Sequence, residues 1–428
     1  MKETKFKQTE VGMIPSDWGV EPLANIANTA SGGTPSRSNE AFYKGSIKWF
    51  TTTELKDCNL YDSVEHISKQ AVECSSAKIF PKNTLLMAMY GATIGKLGLL
   101  KCDAATNQAC CAIFPKKTDV LYLYYFLLHN RENIIAMGCG AGQPNVSQEI
   151  VKKINIPLPP TIEEQQRIAN ALSDVDTLIE SLEKLIAKKK NIKQGAMQQL
   201  LTGRKRLPGF APAKPTYKQT ELGKIPTDWE FVPVSELAKD MADGPFGSNL
   251  KKEHYTSDPQ ARIIQLSNIG ENGWEDENTK YTTFEHAKTI ARCIVPKEES
   301  ILVAKMMPAG RAIICPKIEK QYVLGSDVIR ITANEKLNSK YFVYASKSDV
   351  YLKQISDNTQ GSTRQRTSIS KLRKILILLP SLDEQTAIAN ILSDMDTEIA
   401  TLETKLAKYR KLKTGMMQQL LTGKIRLI

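Results

Sequence analysis

This chain carries one plan written twice. Gln8–Trp18 (QTEVGMIPSDW) returns at Gln219–Trp229 (QTELGKIPTDW), displaced by 211 residues, and Glu164–Leu207 returns at Glu384–Leu427, displaced by 220. The longer pair is identical at more than half of its positions, and MQQLLTG stands unchanged at Met197–Gly203 and Met417–Gly423. The stretches between these markers hardly match. Fixed-period self-similarity means repeated structural units, so the expected order is variable domain, shared helix, variable domain, shared helix. The boundaries read as 1–158, 159–203, a basic Pro-rich linker over 204–217, then 218–378 and 379–428.

The shared segments carry strong helix signals. Thr161-x-x-Glu164 and Ser381-x-x-Glu384 have the form of capping boxes, each behind a proline (Pro160, Pro380) that ends a strand-like run. Beyond the caps, Ile168, Leu172, Val175, Ile179, Leu182 and Ile186 alternate steps of four and three. Their counterparts are Ile388, Leu392, Met395, Ile399, Leu402 and Leu406. So narrow an apolar stripe fits the seam of a two-helix coiled coil, although a helix lying on its own domain satisfies the pattern too. Two matching seams in one chain are natural antiparallel partners. A helix of about 30 residues rises roughly 45 Å, the length of about 13 base pairs of duplex. The fold class expected is α+β, internally duplicated: two mixed α/β domains separated by two long helices that form an antiparallel coiled coil.

Composition narrows the partner. With 41% hydrophobic and 24% charged residues, each half can bury a core, and the net charge of +12 points to a polyanion, nucleic acid first. Met1–Gln8 lacks the apolar core of a signal peptide and no run approaches a membrane span of about 20 residues. The eight cysteines include no C-x-x-C pair and the four histidines are scattered, so no metal site is expected. Buried thiols in a reducing cytoplasm are the simplest reading.

In the variable domains, strand-like runs occur at 79–89, 109–114, 301–303, 311–315 and 327–331, with aromatic-rich helices at 121–129 and 340–346 whose rings read as core. The loops offer the better recognition surfaces. In the first domain these are 31–48 with Arg37, Tyr43, Lys44 and Lys48, and the Gly-rich 138–147 with Gln143 and Asn145. In the second they are 243–254 with Lys251 and Lys252, and 359–368 with Arg364, Gln365 and Arg366. Arginine suits bidentate contact with guanine and glutamine with adenine, while plain solvated loops remain the alternative for any one residue.

Candidate chemistry is thin. Gly91–Lys96 (GATIGK) is one residue short of a phosphate loop, and Gly138-x-Gly140-x-Gly142 lacks the strand–turn–helix frame of a dinucleotide site. Asp174/Asp176 and Asp394/Asp396 sit mid-helix in both copies, where surface or partner contact explains them better than metal chemistry. No nucleophile-and-base arrangement is found, so the expectation is binding without catalysis. Gly203 and Gly423 read as helix C-caps. A coiled coil does not require Gln198, Gln199, Gln418 and Gln419 to match, so the pair of identical surfaces suits two copies of one partner, or records a recent duplication.

Assembled, these residues resemble the specificity subunits of type I restriction–modification systems over essentially the full length. The resemblance rests on IPSDW and IPTDW, GGTPSRSN and GPFGSN, GQPNVSQEI before PLPP, and the EQ…IAN.LSD.D…MQQLLTG helices. It implies two target recognition domains, each reading one part of a bipartite, asymmetric site in double-stranded DNA. The helices then act as a spacer that docks two modification (methyltransferase) subunits, with restriction (endonuclease/translocase) subunits added. Cofactors are expected only in those partners: S-adenosylmethionine for adenine methylation, ATP and Mg for translocation and cleavage. No catalytic or metal-binding residue is carried over to this chain.

Overall fold

The computed structural model describes residues 5–138, 145–211, 213–214, 216–296, 299–359 and 365–428. Four helices organise it: α1 (Val120–His129), α2 (Ile162–Leu200), α3 (Ser339–Ala345) and α4 (Leu382–Leu420). The chain divides into two compact units, Met1–Lys184 with Thr404–Ile428, and Leu185–Glu403. The division falls inside both long helices. Each unit therefore holds one variable domain, the first half of the long helix that follows that domain, and the last half of the other long helix.

Both long helices have 39 residues rather than the 30 read from the seam, a rise of about 58 Å. They run on into MQQLL, ending at its first leucine, and both leucines turn inside. Leu200 and Leu201 join the core of the second unit, and Met417, Leu420 and Leu421 that of the first. Termination comes at Gly203 and Gly423, with φ of +68° and +67°. Only glycine takes this turn without strain, and an added Cβ would meet Pro226 or Pro15 besides.

In the first unit a five-stranded sheet runs in the order Ala27–Ser31, Cys110–Pro115, Leu85–Ala88, Leu97–Leu100, Cys58–Leu60, antiparallel except for the last pair. A four-stranded sheet runs Glu65–Ile67, Ile47–Phe50, Ala104–Thr106, Ile79–Phe80, its central pair parallel. The run expected over 79–89 is two strands on different sheets, because Pro81 and the left-handed Asn83 (φ +66°) turn the chain between them. Helix α1 packs its aromatic face into this core, with Tyr122 fully buried and its Oη donating to the Pro157 carbonyl at 2.7 Å.

The second unit repeats the scheme with different edges. One sheet runs Ala238–Asp243, Val328–Ala333, Ser300–Ala304, Ala312–Ile314; the other runs Tyr255–Thr256, Tyr281–Thr282, Ala261–Ile264, Tyr322–Leu324, Ile294–Val295. Helix α3 takes the place of α1, and Tyr341 Oη donates to the Leu378 carbonyl at 2.7 Å.

Within each unit the two helix halves pack together. In the first, Asp176 pairs with Lys413 and Glu183 with Arg410, both at 2.6 Å, so one number rises as the other falls and the halves run antiparallel. In the second, Lys193 pairs with Asp396 and Lys190 with Glu403 in the same opposed sense. Along the seam Ile168, Leu172, Leu182, Ile186, Ile388, Leu392, Ile399 and Leu406 are buried, and Val175, Ile179, Met395 and Leu402 are half-buried. The first turns do more than line a seam. Ile168 and Leu172 sit in the core beside Trp18 and Leu421, Ile388 and Leu392 beside Trp229 and Leu201. Packing on the domain and packing on the other helix are thus both realised.

The capping boxes form only halfway. The hydroxyls of Thr161 and Ser381 accept the amides of Glu164 and Glu384 at 3.2 and 3.4 Å, but the glutamate side chains turn elsewhere. Glu164 takes both Nε and Nη2 of Arg426, at 2.5 and 2.8 Å, while Arg426 Nη1 reaches Asp17 at 2.9 Å. Glu384 takes Arg206 Nε and Nη2 at 2.6 and 2.7 Å, and Arg206 also forks onto Asp228 at 2.9 Å. Both carboxylates are buried, and a two-pronged guanidinium bond satisfies a buried carboxylate better than one amide does. Each guanidinium also lies over the tryptophan of IPSDW or IPTDW, 5.7 Å from Trp18 and 5.1 Å from Trp229. Arg204–Leu207, read as the start of a linker, is therefore the tail that locks onto the head of the other repeat.

Candidate nucleic-acid interface

In the first unit the loop after Ala27–Ser31 is held down by its glycines. A Cβ at Gly32 would meet Thr106, and one at Gly33 would meet the Ser76 backbone, so the chain passes closer here than any side chain allows. Trp49, 2% exposed, donates Nε1 to the Gly33 carbonyl at 3.0 Å. Tyr43 packs edge-on to Trp49 with centroids 5.8 Å apart, and its hydroxyl donates to the Pro35 carbonyl at 2.7 Å. Arg37 lies 4.2 Å from the Tyr43 ring centroid and makes two bonds to Glu65, at 2.5 and 2.8 Å. Lys44 pairs with Glu40 at 3.2 Å, and Lys48 approaches Asp62 at 3.7 Å and the Tyr61 carbonyl at 2.5 Å. Arg37, Tyr43 and Trp49 thus form one group. Asn145 stands elsewhere, exposed and bridged to the half-exposed Tyr90. Next to it, Gln148 bonds Ser31 and Thr29 across the sheet end at 3.2 and 2.8 Å.

The second unit builds its surface from other parts. Lys251 and Lys252 are exposed on a single 3-10 turn, which His254 closes by accepting the Lys251 amide at 3.1 Å. His254 stacks on His286 at 3.9 Å, and Phe246 projects with 84% of its surface free. Beside this loop lies a cleft of about 350 Å³ lined by Pro245, Gly247, Leu250, Gln265, Ser267 and Asp327. Arg366 pairs with Asp327 at 2.8 Å, and Gln365 is exposed. Lys305 ties the two sides together, pairing with Asp243 at 2.9 Å and donating to the Ser326 carbonyl at 2.9 Å. Gln143 and Arg364 lie outside the described residues.

Arg37, Lys44, Lys48, Lys251 and Arg366 each have a carboxylate within 4 Å, so these candidate cations are matched by acids of the same chain. Of the four glutamines, Gln198, Gln199 and Gln418 are exposed and Gln419 is half-buried. The rest of MQQLLTG is accounted for by the cores and the glycine turns. The mid-helix acids have intramolecular work: Asp176 accepts Tyr125 Oη and Asp396 accepts Tyr344 Oη, each at 2.8 Å, facing Lys413 and Lys193. Reading the sequence missed these clamps and the Arg206 and Arg426 locks. Their signal was present, since each lysine and arginine recurs at the same repeat position.

Among the described residues no group of three or more His, Cys, Asp or Glu is placed to hold a metal. Burial pushes the Cys111 thiol up to about 12, and that of Cys110 higher still, so neither supplies a thiolate near neutrality. Among the described residues, too, no helix is long and apolar enough to cross a membrane.

Two mixed-sheet units with unlike outer loops, each joined to a matching long helix, define a duplicated α+β class of protein. The type I restriction modification DNA specificity domain is matched by residues 15–192 and again by 226–409. This chain belongs to that family, the specificity (S) subunits of type I restriction–modification systems, with the domain duplicated. It is 27% identical over 431 residues to the type I restriction enzyme MjaVIII specificity subunit of Methanocaldococcus jannaschii, covering 99% of this chain and 97% of that one. With the EcoR124I/EcoR124II specificity subunit of Escherichia coli it shares 29% identity over 41% of its length and 44% of the relative's. The crystal structure of the type I S subunit from M. genitalium superposes with a TM-score of 0.60 at 17% identity, covering 97% of this chain and 98% of the other. A chain solved in a study of type I complex assembly and conformational transition gives 0.54 at 15%, covering 96% and 99%. At such identities the likeness shows the fold. Subunits of this family are generally non-catalytic, and the cofactors belong to their partners.

Proposed function

We propose that this chain is the sequence reader of a type I restriction–modification assembly. Each unit reads one half of a bipartite, asymmetric DNA site, and the length of the paired helices sets the spacing between halves. The observation that carries this reading is the contrast between a junction built twice from the same residues and two recognition surfaces that share none. Arg37, Tyr43, Lys44, Lys48, Gln143 and Asn145 are candidate contacts for one half-site; Lys251, Lys252, Arg364, Gln365 and Arg366 are candidates for the other. Gln198, Gln199, Gln418 and Gln419 present two like surfaces to two modification subunits. Those subunits supply S-adenosylmethionine-dependent methylation, and restriction subunits supply ATP- and Mg-dependent cleavage. The target recognition domains span 1–158 and 218–378, and the work is done in the cytoplasm.

The test is the methylation pattern in cells carrying this chain with its modification partners. Adenine methylation should fall on one bipartite sequence, and Arg366→Ala should relax one half of it, costing roughly 1–3 kcal/mol of discrimination. Methylation without a bipartite site, or a variant that weakens all sequences equally, would count against the reading.

A further inference from the structure

We propose that Glu65 is a positioning residue for specificity: it holds the Arg37 guanidinium in a reading plane and withholds its charge from DNA phosphates. The inference rests on the reading of this chain as a two-domain DNA reader and goes beyond it by assigning a carboxylate the task of suppressing non-specific binding.

Three restraints act on one guanidinium. Glu65 takes Nη1 and Nη2 end-on at 2.5 and 2.8 Å. The Tyr43 ring supports one face at 4.2 Å. Tyr43 is itself fixed by the Pro35 carbonyl and by the buried Trp49, which is anchored to Gly33. An ordinary surface ion pair has neither the stacked shelf nor the two-point fork, and its side chains wander. Yet the Arg37 side chain remains 56% exposed, so a group built with this care still faces outward. The end-on fork leaves the Nε edge and the outer Nη hydrogens to donate, the geometry that guanine O6 and N7 accept.

The surrounding charges point the same way. Arg37, Lys44 and Lys48 are matched one for one by Glu65, Glu40 and Asp62, although the chain as a whole carries +12. A surface meant to grip phosphates gains affinity from cations free to displace counterions. A surface meant to read base edges gains from an oriented donor whose charge is already answered, because the phosphates of every sequence then attract it equally little. Glu65 supplies both the orientation and the answer.

The experiment titrates the full chain with two duplexes, one carrying the bipartite site found by methylation and one with the first half-site scrambled, across a range of salt. Glu65→Gln keeps the shape and removes the charge. Affinity for the scrambled duplex should rise several-fold, and its log K against log salt should steepen by about 0.9, one added phosphate contact. Discrimination at the first half-site should fall about tenfold while that at the second is unchanged. Arg37→Ala should lose the same discrimination without steepening the slope. A misfolded first domain would lose discrimination but would not bind the scrambled duplex better, so it cannot imitate the expected result. Unchanged slope and discrimination in Glu65→Gln, with wild-type selection intact, would overturn this inference alone; a wild type that selects no bipartite site would overturn the functional reading with it.

Discussion

The two units agree where the chain closes on itself and differ where it faces outward. Four strands of each principal sheet keep one order in both units, and so do four of each second sheet. The first unit adds Cys58–Leu60 at the edge of one sheet; the second adds Tyr255–Thr256 at the edge of the other. At the junction the copies nearly coincide, with glutamate, aspartate, arginine and tryptophan in the same relation. Edge strands and loops vary at small energetic cost because water satisfies what they leave open. A buried charged junction has no such latitude, since removing one partner strands the other in the core.

The most drastic way to break the comparison is to remove one half. The first core is completed by Met417, Leu420, Leu421 and Arg426, whose counterparts Met197, Leu200, Leu201 and Arg206 belong to the first repeat itself. A fragment of residues 1–206 then carries both a head lacking its tail and a tail lacking its head. Two copies should close on each other as a two-fold dimer, with self-complementary surfaces. With modification partners present, the dimer should select an inverted repeat of the first half-site. Sedimentation and methylation sequencing check this; a monomeric fragment would mean that the tails are not exchangeable.

Next in size are the locks. Arg206→Ala leaves Glu384, 1% exposed at its side chain, without its cation and should cost about 3–5 kcal/mol in denaturant titrations. Arg426→Ala should cost the first unit a similar amount. Acid provides a second handle on the same lock. Hydrogen bonding to Arg206 holds the Asp228 carboxyl below its ordinary value. Its contribution is therefore complete above the ordinary aspartate range, near pH 4, and is lost as pH falls through the lowered value. In Arg206→Ala the part of the acid dependence below pH 4 that Asp228 contributes should flatten.

The smallest effect separates two residues that look alike. Trp229 Nε1 donates to Glu384 at 3.2 Å, whereas Trp18 Nε1 has no partner among the described residues. Replacement by phenylalanine should cost the second unit about 1.5–3 kcal/mol more than the first, the worth of a hydrogen bond to a charged acceptor. Equal losses would show that the two junctions are energetically the same.

Much of this was legible without coordinates. The duplication, the long helices, their glycine ends and their apolar seam follow from spacing, because helix periodicity and capping act over one or two turns. The same signals misled where a local pattern served a distant purpose. Thr161-x-x-Glu164 reads as a reciprocal cap, yet its glutamate turns to Arg426, 262 residues away. The helix runs past its seam to bring Leu200 and Leu201 into a core they share with Trp229 and Val234.

What the sequence by itself determined is the plan: two unlike domains, two like helices and a basic chain whose charge points to a polyanion. Only the tertiary structure decided how the plan closes, with each repeat's tail completing the other's head, and which charges are answered. Periodicity is a property of neighbours and is written in consecutive residues. An ion pair such as Arg37 with Glu65 joins a turn residue to a strand residue 28 positions further on, so no local spacing records it. It exists because the fold brings the loop after Ala27–Ser31 against the strand Glu65–Ile67.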